Sequence, residues 1–138
     1  MAVVKELIRS EADGTISFGN YTLDTKAKVS DFEHKGDLYK VKTYYEITKL
    51  ERNGMFVYES VPGTAVNNLY VDKDTVSFSV EGKDNAQVTL ELEPETEYAV
   101  KLNGHLIDNM KTNLGGKLVL SIEFEDGNPA SVQVNRLD

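Results

Sequence analysis

The stretch Leu92-Glu93-Pro94-Glu95-Thr96-Glu97-Tyr98-Ala99-Val100-Lys101-Leu102 most narrows the folds open to this chain. Leu92 ends one apolar alternation, and Tyr98, Val100 and Leu102 begin another. Pro94 has no backbone N–H and cannot sit in a central strand, so the chain turns there. Two apolar alternations joined by such a turn fit antiparallel strands.

The rest of the chain agrees. Val76, Phe78 and Val80 alternate with polar residues, as do Val88, Leu90 and Leu92, then Leu118, Leu120, Ile122 and Phe124, then Val132 and Val134. Period-two alternation means strands with one buried and one wet face. In the first half the pattern predicts strands near residues 3–10, 15–22, 26–34, 38–51 and 55–61. No long helix is expected; only residues 3–9 and 103–111 have loosely helical spacing, the second after the hairpin pair Asn103-Gly104. The fold class is therefore all-β, an antiparallel sandwich. Val61-Pro62-Gly63 is the strongest punctuation, and it divides the chain into two tightly packed β modules, residues 1–63 and 64–138.

Asn53-Gly54 is a type I′ hairpin signal, because both positions need positive φ. That turn pairs Arg52 with Met55, Glu51 with Phe56, Leu50 with Val57 and Lys49 with Tyr58. Tyr39, Val41, Thr43, Tyr45 and Ile47 then share the core face with Phe56 and Tyr58. The opposite face carries Lys40, Lys42, Tyr44, Glu46, Thr48 and Arg52, together with Leu50, Met55 and Val57. Either another element of the chain covers such an apolar patch or a partner does, and Leu50, Met55 and Val57 form the candidate self-association face.

Charge limits the partners. The net charge is −8, with 15 basic and 23 acidic residues. Nucleic acid and anionic membrane surfaces are disfavoured on that balance. Lys5, Glu6 and Arg9 interrupt the first apolar run, and no run reaches membrane-spanning length. The expectation is a cytoplasmic protein with no membrane insertion. The absence of Cys excludes disulfides and thiolate metal sites.

Little in the chain points to catalysis. His34 and His105 are far apart, and no EF-hand loop surrounds Asp72-Lys73-Asp74 or Asp84. Glu91, Glu93, Glu95 and Glu97 lie on one face in a row, whereas a glycosidase sets two carboxylates across a cleft. There is no nucleophile elbow and no phosphate loop. No metal and no cofactor are expected. Sugar binding has better support, because rings with polar neighbours stack on the C–H faces of sugars. Tyr44, flanked by Lys42 and Glu46, is the best-placed candidate; Tyr21 and Tyr70 are harder to place.

Three resemblances bear on this. The run from Leu92 through Pro94 to Tyr98 resembles the tyrosine corner of fibronectin type III domains, which implies an immunoglobulin-like C-terminal sandwich module, with the Tyr98 ring packed on the core edge and its hydroxyl returning to the backbone just upstream. Residues 97–104, 110–113, 116–121 and 132–134 are similar to β-sandwich modules found beside catalytic domains in bacterial polysaccharide-degrading enzymes. The whole chain, through Val3-Val4-Lys5-Glu6-Leu7-Ile8-Arg9 and Gly54-Met55-Phe56-Val57-Tyr58-Glu59-Ser60-Val61-Pro62-Gly63, resembles a family of short gut-Firmicutes proteins sometimes labelled endosialidase-like. That label implies sialidase activity, which needs a propeller of several hundred residues and an arginine cluster. This chain has only Arg9, Arg52 and Arg136, so no catalytic residue carries over. The reading is a non-enzymatic structural or interaction protein that self-associates, its partner being itself or another protein. A carbohydrate-binding module is the alternative.

Overall fold

The computed structural model describes residues 3–124 and 128–137, and every regular element among them is a strand. The first sheet has the order β1 (Ile8–Ser10), β2 (Ile16–Phe18), β7 (Ala65–Val71), β8 (Thr75–Glu81), β13 (Ala130–Arg136), β10 (Glu97–Leu102) and β11 (His105–Lys111). The second has the order β12 (Lys117–Ile122), β9 (Ala86–Glu91), β6 (Met55–Val61), β5 (Ile47–Arg52), β4 (Asp37–Tyr44) and β3 (Ala27–His34). All pairings are antiparallel, and the two sheets pack face to face.

The division at Gly63 does not hold. β3 to β6 make only a one-sided sheet, and β7, β8, β13 and β10 from the other side of Gly63 supply its cover. β2 pairs with β7 and β6 pairs with β9, so each sheet contains strands from both expected modules. The physical reason is burial. A half-apolar sheet needs a second layer, and this chain supplies one by interleaving its halves. Phe18 of the first sheet meets Tyr58 of the second edge-on at 5.2 Å, and Tyr58 meets Phe78 at 5.7 Å. Val41, Leu50, Val88, Val100 and Val134 fill the same core with no exposed surface.

Local turn chemistry explains the corrections. Residues 38–51 are not one strand: Tyr45 and Glu46 form a two-residue turn, with Tyr44 opposite Ile47 and Val41 opposite Leu50. That turn swaps the faces beyond it. Thr48 and Leu50 therefore point into the core, while Ile47 and Lys49 do not. A bulge in β6 then moves the register, so Leu50 faces Tyr58 and Lys49 faces Glu59, although Arg52–Met55 and Glu51–Phe56 pair as expected. The extra residue puts Val57 against the core next to Tyr58 and turns Phe56 away. Asn53 (φ 52°) and Gly54 (φ 80°) make the expected left-handed turn. Residues 103–111 are the hairpin end and β11, not helix, because Asn103 (φ 52°) and Gly104 (φ 84°) reverse the chain tightly.

The corner at Tyr98 has the expected geometry. The Glu93 N–H donates to the Tyr98 hydroxyl at 3.2 Å, and the ring is buried. Thr112 locks the same residue from the other side, donating its hydroxyl to the Glu93 carbonyl at 2.5 Å. Pro94 lies in the turn between these contacts, with its own carbonyl accepting from the Thr96 hydroxyl.

Candidate functional site

The outer face of the second sheet carries the most distinctive charge arrangement in the molecule. Cross-strand register sets Lys28 of β3 directly opposite Lys42 of β4, and Lys42 opposite Lys49 of β5. Directly opposed side chains have Cβ atoms only about 5 Å apart, and like charges there are destabilising. Lys40, one step along β4, faces Glu51. Lys28, Lys40, Lys42, Lys49 and Glu51 together border a depression of about 130 Å3. Glu51 holds Lys49 at 3.5 Å. Lys28, Lys40 and Lys42 have no ion-pair partner among the described residues.

Alternation continues this face to Tyr44. Its hydroxyl donates to Glu46 at 2.6 Å, and that bond, with lesser burial and charge effects, raises the phenol above its ordinary range. The Tyr45 ring stands edge-on at 5.3 Å, and Lys26 Nζ lies 5.8 Å from the Tyr44 centroid. Lys42 and Tyr44 thus occupy one end of β4, and Glu46 lies in the turn that follows. Register adds Lys28 and Lys49, which lie on strands that sequence spacing alone does not connect, and Lys26 stands just before β3.

The expected self-association face does not form. Leu50 is completely buried, for the face-swapping reason given above. Val57 packs on the core. Met55 alone is strongly exposed, at 64%. Asn53 has a structural task in addition to its turn. Its Oδ1 accepts from the Leu38 N–H and its Nδ2 donates to Asp37, tying the start of β4 to the β5–β6 hairpin.

Two clefts open at the ends of the sandwich. One, of about 540 Å3, is lined by Met55, Val57, Val71 and Leu92 and rimmed by Arg52, Lys73, Asp74 and Glu93. Its rim mixes both signs and selects no ligand charge. The other, of about 780 Å3, includes Tyr21, Tyr45, Asp24 and Asp84. There Tyr21 donates to the buried carboxylate of Glu81 at 2.8 Å. Burial first, and then Glu81, pushes the Tyr21 hydroxyl up to about 12.

One contact has the form of a catalytic pair. Ser10 Oγ lies 2.7 Å from His34 Nδ1, and His34 Nε2 lies 3.1 Å from the Gly14 carbonyl. A carbonyl only accepts, so Nε2 donates to Gly14, and in a neutral ring Nδ1 would then accept from Ser10. Both ring nitrogens are engaged in joining the β1–β2 turn to the end of β3. Ser10 and His34 lie 24 positions apart, and nothing in the sequence signals this contact. Asp72 is likewise held by local bonds, from the Tyr70 hydroxyl and the N–H groups of Asp74 and Thr75. Among the described residues no three His, Asp or Glu side chains converge in a metal-binding group. No helix among them is long and apolar enough to cross a membrane.

No protein-family model, curated protein or solved structure matches this chain. The functional reading therefore rests on the site.

Proposed function

We propose that this is a non-catalytic binding protein whose lysine-lined sheet face engages an anionic carbohydrate polymer. The observation that carries the reading is the row Lys28–Lys42–Lys49. Three ammonium groups in direct register cost folding stability, and an anionic ligand would offset that cost on binding. A protein of net charge −8 nonetheless concentrates Lys28, Lys40, Lys42 and Lys49 on three neighbouring strands, with Lys26 just before the first of them.

Tyr44 narrows the ligand class. A ring beside ammonium donors suits a sugar whose C–H face stacks while its carboxylate or sulfate meets the lysines. A face that runs across three paired strands also suits an extended chain better than a small molecule. The overall negative charge works against a long nucleic acid, which would overrun the lysines and meet repelling surface.

The test is a titration against uronate-containing, sulfated and neutral glycans and a single-stranded oligonucleotide, repeated at rising salt. The reading expects salt-dependent binding to the acidic glycans, with Lys42→Glu abolishing it. Absence of acidic-glycan binding, or tighter binding to the oligonucleotide, would overturn it.

A further inference from the structure

The free edges of the two sheets differ in how well they are guarded. β1 has only three residues. β3 is broken between Val29 and Phe32, with Asp31 at φ 59° in the bulge. β11 is broken where Asp108 and Leu106 face Val100 and Lys101, which leaves Ile107 as the extra residue. Short strands and bulges are the usual devices that prevent edge pairing. β12 has neither. Its register with β9 is unbroken from Lys117–Glu91 to Ile122–Ala86, and between Lys117 and Glu123 it carries no charge, Gly or Pro.

The phase of its hydrogen bonds can be read directly. The Leu92 N–H donates to the Gly116 carbonyl at 2.7 Å, so Leu92 and Gly116 are a hydrogen-bonded pair. Alternation then turns the main-chain groups of Leu118, Leu120 and Ile122 toward β9 and those of Lys117, Val119 and Ser121 outward. Asn113 takes up Lys117, through its own N–H to the Lys117 carbonyl and through its Oδ1 from the Lys117 N–H. The outward N–H and C=O groups of Val119 and Ser121 have no partner among the described residues. Val119 is also 44% exposed.

We propose that β12 pairs antiparallel with β12 of a second copy of this chain, joining the two six-stranded sheets into one. Charge selects the second copy and the register. With the two-fold axis at Leu120, Val119 lies opposite Ser121 of the other copy, and each such pair exchanges both main-chain bonds. The same register sets Lys117 opposite Glu123 of the other copy, and symmetry repeats this on the far side. Shifting by one step of two residues in either direction loses that match, placing Lys117 against Ser121 or Val119 against Glu123. Glu123 is exposed and has no ion pair among the described residues, whereas Lys117 already holds Glu91 of β9 and would meet Glu123 as a second carboxylate. An edge ladder this short buries less than a standard interface, so the dimer is a weak one. The two-fold axis runs perpendicular to the joined sheet, so both lysine faces look the same way. The pairing does not depend on the glycan reading.

The experiment is sedimentation velocity of the whole chain, without glycan, over a concentration series reaching the millimolar range. The wild type is expected to move toward twice the single-chain mass. Glu123→Lys and Lys117→Glu are each expected to weaken association about tenfold, since like charges then face each other. An equimolar mixture of these two variants should recover it, because each copy restores both opposite-charge pairs in the other. Val119→Pro removes an outward N–H and leaves the β9 ladder intact, and it should also weaken pairing. A wild type that stays a single chain throughout would overturn the proposal. So would variants that associate like wild type, or a mixture no stronger than its components while circular dichroism shows both folded.

Discussion

Thr48 takes both main-chain groups of Thr64 on one side-chain oxygen. Its hydroxyl donates to the Thr64 carbonyl at 2.9 Å and accepts from the Thr64 N–H at 3.1 Å. Both residues are fully buried. The Thr64 hydroxyl in turn meets Tyr58 at 2.8 Å and Ser60 at 2.7 Å, and Thr43 meets Thr48 at 2.8 Å. This polar knot fixes the crossing from β6 to β7 inside an otherwise apolar core. Thr48→Val keeps the shape and strands the Thr64 N–H away from water. A buried unpaired donor costs about 1 to 3 kcal/mol and the carbonyl adds to it, so a loss of about 2 to 4 kcal/mol is expected in urea unfolding. A loss below about 0.5 kcal/mol would mean that water enters the knot.

The corner at Tyr98 is less severe a constraint. Glu93 is exposed, so water can reach its N–H once the Tyr98 hydroxyl is gone. Tyr98→Phe should therefore cost about 1 kcal/mol, the net worth of one hydrogen bond. Thr112→Val at the same corner strips the Glu93 carbonyl and also the Thr96 N–H, which donates to Thr112 at 3.0 Å. It should exceed Tyr98→Phe in the same unfolding measurement, and the reverse order would show that the hydroxyl of Tyr98 is the main lock.

The contrast between these sites shows what could be read from the chain alone. The corner was legible because Leu92, Pro94 and Tyr98 lie close together and each has a backbone reason to be there. The alternating strands of the second half were legible for the same reason. The Tyr45-Glu46 turn was not, since neither residue is a turn former, and a two-residue turn reverses every face assignment after it. Leu50 was therefore placed outside when it lies at the centre. The lysine row depends on the same pairing. Lys42 and Tyr44 are visible as strand neighbours, but Lys28 and Lys49 join them only once β3, β4 and β5 are in register. The division at Gly63 failed because burial is decided between sheets, and sequence proximity says nothing about which strands share a core.

Tyr21 sets an alkaline limit. Its hydroxyl, ordinarily near 10.0, is pushed up to about 12 by burial and by the Glu81 carboxylate beside it. A folded value above the unfolded one means that the folded state holds the proton more tightly. The resulting contribution to stability is whole below pH 10 and drains away as pH rises toward 12. Tyr21→Phe should flatten the pH dependence of the unfolding midpoint across that window. An unchanged slope would show that the Tyr21–Glu81 bond is not maintained in solution.

Lys42 separates a binding role from a structural one, because the two predict opposite signs. It lies between Lys28 and Lys49, directly opposite both. If the row serves only folding, replacing its centre should be neutral or harmful. If the row is kept for an anionic ligand, Lys42→Glu should stabilise the free protein, since two like-charge pairs become two opposite-charge pairs. Cross-strand pairs are worth about 0.2 to 1 kcal/mol each, so a gain of about 0.5 to 1.5 kcal/mol is expected at low salt, shrinking as salt rises. The same variant should lose acidic-glycan binding altogether. Lys42→Gln should fall between, relieving repulsion without adding attraction. Unfolding curves and titrations on the same three proteins decide it. A destabilised Lys42→Glu that still binds would remove the case for this face as a site.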